Sequence, residues 1–241
     1  MIFACVLASC ANNAKDYIQN GITFYRQKEF AGALEQFDRA LKQDSGVPEL
    51  YYHRGNLYRD WNDQYDKAIA DYSKAIQLKD DYLLAYNNRA QIYKKLHNYD
   101  KAIQDYHKIL AISPLTARAY YSIGKIYENW YQNSHRYAYL NSAKIAYDKA
   151  IEIDPENAQF YRPRAKIYIR EKEYTKAIDD YSKMIQLNPD DHNALMERGI
   201  VYFHMRKYDR AYQDLGRCQN KGFKNPKIRK YQRKILEIKN Q

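Results

Sequence analysis

One segment recurs along the chain at a fixed spacing, and this repetition limits the possible folds more than any other feature. It reads YDKAIADYSKAIQL from Tyr65, YDKAIQDYHKIL from Tyr99, YTKAIDDYSKMIQL from Tyr174 and YDRAYQDL from Tyr208, the first two lying 34 residues apart. A period of that length marks a stack of small units, none of which can bury its apolar side alone. Upstream of these segments a second pattern sets an aromatic, a small residue and another aromatic at i, i+4 and i+7: Tyr51, Gly55, Tyr58; Tyr86, Ala90, Tyr93; Tyr120, Gly124, Tyr127; Tyr161, Ala165, Tyr168. That spacing places all three on one face of a helix. The downstream segment does the same with Ala68, Tyr72, Ala75 and with Ala143, Tyr147, Ala150. A small residue therefore faces an aromatic across a close helix pair, and each unit is two antiparallel helices.

Composition agrees with this reading. The 241 residues hold 8 Gly and 6 Pro, too few turn residues for a many-stranded sandwich or barrel. Tyr is abundant at 27, and most of these rings fall on the packing positions of the repeat. No run is long and apolar enough for a membrane-spanning helix.

The pattern resembles the tetratricopeptide repeat family, whose signature is large, small and aromatic on the first helix, Ala, aromatic and Ala on the second, and a closing Pro. The resemblance implies an all-α fold, an α-solenoid (right-handed superhelix) of six helix pairs plus a C-terminal capping helix. The units fall at 14–47, 48–82, 83–116, 117–157, 158–191 and 192–225, with Pro114, Pro155 and Pro189 closing the third, fourth and fifth. The second unit has one extra residue and the fourth seven, the latter between Tyr127 and Ala143. Seven residues are about two helical turns, which predicts a lengthened hairpin rather than a loop. Pro163 falls beyond the first turn of its helix on this register, which predicts a kink. Residues 226–241 follow as a basic amphipathic cap with Ile228, Tyr231, Ile235 and Ile238 at three- and four-residue steps.

Residues 1–13 are an apolar segment and tether. Leu7, Ala8, Ser9 and Cys10 resemble the lipobox of bacterial lipoproteins, which implies a signal segment, acylation at Cys10 and attachment of the chain to a membrane in the cell envelope, facing the periplasm or the exterior. No Lys or Arg precedes them, unlike a secretory signal. The alternative is an unprocessed N terminus on a cytoplasmic protein. Cys218 falls alone at a core position.

Nothing in the sequence assembles a catalytic or metal centre. The six His are dispersed, no HExxH or Gly-rich phosphate loop occurs, and three Cys cannot make a zinc site. The expectation is a protein that is not an enzyme and needs no cofactor. The carboxylate pairs Asp80 with Asp81 and Asp179 with Asp180 read as solvated.

In the family, one face of the first helices lines a channel. Carried onto this sequence, that face holds Tyr52, Asn56, Arg59, Asn88, Gln91, Lys94, Lys95, Arg118, Tyr121, Lys125, Arg162, Lys166 and Arg170. Eight of these are cations, against Glu49, Asp60 and Glu128, so the channel is expected to be electropositive and to take partner proteins through acidic peptide segments. One subset of the family clamps terminal carboxylates with Lys, Asn and Arg. Asn56, Asn88 and Arg118 match that pattern, while Tyr52 and Ser122 depart from it. The sequence thus predicts an interaction scaffold, with a cytosolic adaptor or co-chaperone as the alternative. The net charge of +11 raises nucleic acid as a less favoured partner, because most of the aromatics are used in packing. The basic cap could meet an anionic lipid surface or be only the wet side of the last helix.

Overall fold

The computed structural model describes the backbone of residues 2–220 and 223–240 and the side chains of 14–219 and 223–240. Cys10 and the rest of the lipobox-like stretch lie outside the described side chains. Among the described residues the chain is all-α, with no strand. It divides into two compact units, residues 1–114 and 115–241. The first holds α1 (Ile2–Arg26), α2 (Phe30–Gln43), α3 (Pro48–Asp60), α4 (Tyr65–Leu78), α5 (Leu83–Lys95) and α6 (Tyr99–Ile112). The second holds α7 (Ala117–Ser134), α8 (Tyr137–Ile153), a 3-10 turn (Ala158–Phe160), α9 (Tyr161–Arg170), α10 (Tyr174–Leu187), α11 (His192–His204), α12 (Tyr208–Asn220) and α13 (Pro226–Lys239). Within each unit every helix packs on the next in chain order, the arrangement of an α-solenoid.

The small-against-aromatic pattern is the packing rule of the pairs. A Cβ built on Gly55 would lie 2.8 Å from Cε1 of Tyr72, and one on Gly124 would lie 2.5 Å from Cε1 of Tyr147. Only a residue without a side chain lets these rings approach the facing backbone. Tyr72 and Tyr147 are fully buried as a result, and Tyr181 is fully buried in the fifth pair, where the small position is Ala165. Burying a ring of that size stabilises by roughly 1.5–3 kcal/mol. First-helix tyrosines tie one pair to the next: Tyr51 donates to the Ser45 carbonyl (3.1 Å), and Tyr161 to the Pro155 carbonyl (2.7 Å).

Turns inside the pairs are tight and left-handed. Lys28, His97, His135, Lys172 and Arg206 each have φ between 55° and 63°. The α3–α4 turn has two such residues, Asn62 and Asp63, and so absorbs the extra residue of its unit. The added length of the fourth pair is helical: α7 has 18 residues and α8 17, against 13 and 14 in α3 and α4. Trp130 and Tyr139 stack at 4.3 Å between the lengthened ends and hold the hairpin closed.

Pro163 departs from the expected kink. The chain opens this pair with the 3-10 turn Ala158–Phe160, and α9 begins only at Tyr161, so Pro163 lies in the first turn. Amides there have no intrahelical acceptor, and the missing N–H costs nothing.

Candidate binding faces

A repeated ion pair stands behind the first-helix faces. Arg54, Arg89, Arg164 and Arg198 each grip an aspartate of their own second helix with two nitrogens, respectively Asp71, Asp105, Asp180 and Asp214. The third nitrogen reaches back to the preceding second helix, at Asp38, Ser73, Asp148 and Ser182. All four aspartates are buried. Burial raises the carboxyls of Asp71 and Asp180 above the ordinary range, against the pull of their guanidinium partners. Asp180 is therefore not the solvated carboxylate that its neighbour Asp179 suggests. In the fourth pair Ile123 and Ala146 occupy the clamp positions. In three of the four the sequence signal is an Arg three residues after the first aromatic and an Asp just before the buried second-helix Tyr; in the sixth pair Leu195 and Leu215 take the places of those aromatics.

In the first unit, the amides expected to meet a ligand are spent internally. Asn56 Oδ1 accepts from the Tyr72 hydroxyl (2.7 Å) and from Asn88 Nδ2 (2.8 Å), and both Asn side chains are buried. Tyr52 packs against Tyr72 and Tyr82, with centroids 6.1 and 5.2 Å away. Arg59 binds Asp60 through two nitrogens (2.7 and 3.0 Å), and Asp60 also accepts a hydrogen bond from the Tyr25 hydroxyl. Burial, and then that bond, push the Tyr25 phenol up to about 12. Lys95 meets Asp63 at 3.3 Å and the Tyr65 hydroxyl. Arg59, Asp60, Asp63, Tyr65, Gln91 and Lys95 line a cleft of about 490 Å³ in which two cations balance two anions. Asp63 was missing from the sequence-based charge count because it comes from a turn. Lys94 has no carboxylate partner among the described residues.

The second unit is different. Tyr121 lies against Tyr147 and Phe160, with centroids 5.8 and 5.2 Å away. Beside it Lys125 meets Glu128 at 2.6 Å, and the same carboxylate accepts from the Tyr147 hydroxyl at 2.8 Å. Arg162 is held by Asp191 at 2.7 Å, and Asp191 also caps α11 through the Ala194 amide. Tyr121, Lys125, Glu128, Gln159, Arg162 and Lys166, with Pro163, line a cavity of about 220 Å³. Three cations and one carboxylate border it, and Lys166 is exposed with no carboxylate partner among the described residues. Arg170 lies outside it, 5.3 Å over the Tyr131 ring, and Arg118 is exposed at the start of α7. In the fifth pair the buried Tyr181 hydroxyl has no hydrogen-bond partner among the described residues. The first-helix residue matching Asn56 is here Lys166, which cannot accept a hydrogen bond.

Among the described residues no group of side chains could hold a metal ion. Cys218 is buried, and burial pushes its thiol up to about 11, which leaves little thiolate.

Sequence profiles described as tetratricopeptide repeat match residues 84–114, 138–157 and 164–222, and one described as TPR repeat matches 62–97. No curated protein matches the chain by sequence. Among solved structures, a tetratricopeptide repeat protein from Parabacteroides merdae is similar with a TM-score of 0.68 and 20% identity over 95% of this chain and 88% of its own. The pilF protein of Pseudomonas aeruginosa has a TM-score of 0.68 and 15% identity over 94% of this chain and 99% of its own. YrrB, described as a TPR protein with an unusual peptide-binding site, has a TM-score of 0.59 and 17% identity over 85% of this chain and 98% of its own.

Proposed function

From the premise that this chain carries tetratricopeptide repeats, we propose that it is a protein-interaction scaffold that holds acidic peptide segments of its partners on the first-helix face of its second unit. The fold in general serves as a non-catalytic interaction surface, and solenoid specificity lies in a few side chains. The observation that carries this reading is the cavity beside Tyr121, where Lys125 and Arg162 are matched by Glu128 and Asp191 and Lys166 is left with no carboxylate partner among the described residues. The Tyr121 ring, the Gln159 amide and the Lys166 ammonium suit an extended backbone bearing a carboxylate. The charge-balanced cleft of the first unit suits an acidic ligand less well. YrrB, a relative in fold, is described as peptide-binding, which supports a peptide as the ligand class.

Calorimetric titration with a short Glu-rich peptide tests the reading. Lys166→Glu is expected to weaken binding by about tenfold, because it reverses a cation at the cavity rim that has no carboxylate partner among the described residues. Lys42→Glu, on α2, is expected to leave it unchanged. Equal affinities for the two variants would reject the assignment.

For location, the Leu7-Ala8-Ser9-Cys10 stretch supports a lipid-anchored protein of a bacterial envelope, with a cytoplasmic adaptor as the other reading. Mass spectrometry of the native N terminus separates the two, since acylation at Cys10 adds lipid and removes the preceding residues.

A further inference from the structure

The outer face of α13 carries four cations and a single acid, Glu237. Its inner side is taken: Ile228 and Ile235 are buried, and Tyr231 packs edge-on to Phe203 with centroids 5.0 Å apart. On the opposite side Arg229, Lys230, Arg233 and Lys234 stand at i, i+1, i+4 and i+5, all exposed. Arg229, Lys230 and Lys234 have no carboxylate partner among the described residues. Arg233 approaches Glu237 at 3.9 Å, and Glu237 is the only acid from Phe223 to Asn240. Lys227 and Lys239, nearer the core side, are matched with Glu197 and Asp209. Leu236 and Ile238 flank the basic strip near its C-terminal end and are 47% and 39% exposed.

A cap that only has to keep the last pair wet could mix Glu with Lys. Like charges at i and i+4, as at Arg229 with Arg233 and Lys230 with Lys234, repel and weaken the helix. An anionic surface turns that repulsion into attraction. Two apolar side chains at the rim are of no use to a phosphate backbone in water, but they can enter the boundary between headgroups and acyl chains beneath a basic helix.

We propose that the outer face of α13 docks the chain on an anionic lipid bilayer. The inference is independent of the peptide reading and of acylation at Cys10, because it uses residues of the last helix alone.

The test is vesicle co-sedimentation of the full chain carrying Cys10→Ser, so that no acyl chain contributes. Vesicles of phosphatidylcholine alone are compared with vesicles containing about a third phosphatidylglycerol, at about 0.1 M salt. Binding is expected only to the anionic vesicles, and it should weaken as salt rises. Lys230→Glu with Lys234→Glu should lower the partition coefficient at least tenfold. Leu236→Ser with Ile238→Ser should lower it less, and Lys42→Glu with Lys108→Glu, which changes net charge equally elsewhere, should preserve it. Circular dichroism of each variant separates lost docking from lost fold. Absence of binding, equal binding to neutral vesicles, or an equal loss with the control pair would overturn the proposal. So would displacement from the vesicles by duplex DNA at equimolar phosphate, which would assign the strip to nucleic acid.

Discussion

Arg89 holds Asp105 through two hydrogen bonds, 2.9 Å from Nε and 2.7 Å from an Nη, across the third helix pair. The remaining Nη donates to Ser73 of the pair before, at 2.8 Å. One planar side chain thus fixes its own pair and its register on the preceding one, a task that the single ammonium of a lysine cannot perform. Asp105→Ala should cost about 3 kcal/mol, because it leaves a guanidinium half-buried without its counter-charge. Replacing both residues by Leu should cost much less. Urea unfolding of the three variants decides the matter, and equal losses would mean that the pair acts only through its volume.

Gly124 admits the Tyr147 ring to the backbone of α7. Adding a methyl group there places a carbon 2.5 Å from Cε1, so Gly124→Ala should destabilise by about 1–3 kcal/mol despite the better helix propensity of alanine. Gly216, with nothing within 4 Å of its added Cβ, is the control. Its alanine variant should be neutral or more stable in thermal unfolding.

Equivalent tyrosines should respond differently to loss of the hydroxyl. Tyr147→Phe removes a hydrogen bond to Glu128 and should cost about 1 kcal/mol. Tyr181→Phe removes a buried hydroxyl that has no partner among the described residues, so the chain should keep or gain stability. Denaturant midpoints that fall equally in both variants would show that Tyr181 has an acceptor.

Burial holds the His53 imidazole below its ordinary value of 6.5; Arg26 pushes the same way and Glu49 opposes. The unfolded chain therefore takes up a proton on His53 more readily than the folded one. Its contribution is complete above 6.5 and is lost as pH falls below that value toward the folded pKa. His53→Gln should flatten the decline of the urea midpoint between about pH 7 and pH 5. An unchanged slope would remove His53 from the account.

Lys172 turns the chain between α9 and α10 at φ 61°. A side chain in that region costs about 1–2 kcal/mol relative to glycine, part of which returns as entropy of the unfolded state. Lys172→Gly should raise the thermal midpoint slightly, and a lower midpoint would show that the lysine makes a compensating contact.

The helix pairs were legible because their information is local. Tyr72 over Gly55 and Tyr147 over Gly124 follow from periods of three and four residues, and the seven extra residues of the fourth pair could join its helices because they nearly complete two turns. The binding faces were only partly legible. Asn56, Asn88, Arg59 and Lys95 lie on the helices expected to carry them. Their chemistry depends on Tyr72, Asp60, Asp63 and Tyr65, and a face assignment does not say which of these neighbours will consume it. Pro163 shows the same limit at the backbone, since the 3-10 turn before it moved the start of α9.

By itself the sequence determined the repeat, the pairing of small and aromatic residues, and the excess of positive charge, because each follows from composition or from spacing along one helix. The tertiary structure decided which of those charges remain available. Arg59 and Lys95 are neutralised by turn and neighbouring carboxylates, Arg164 is drawn into the stack, and Lys166, Lys230 and Lys234 are left facing solvent. Coulomb attraction falls with distance in space, and residues far apart in the chain become close only when the helices pack.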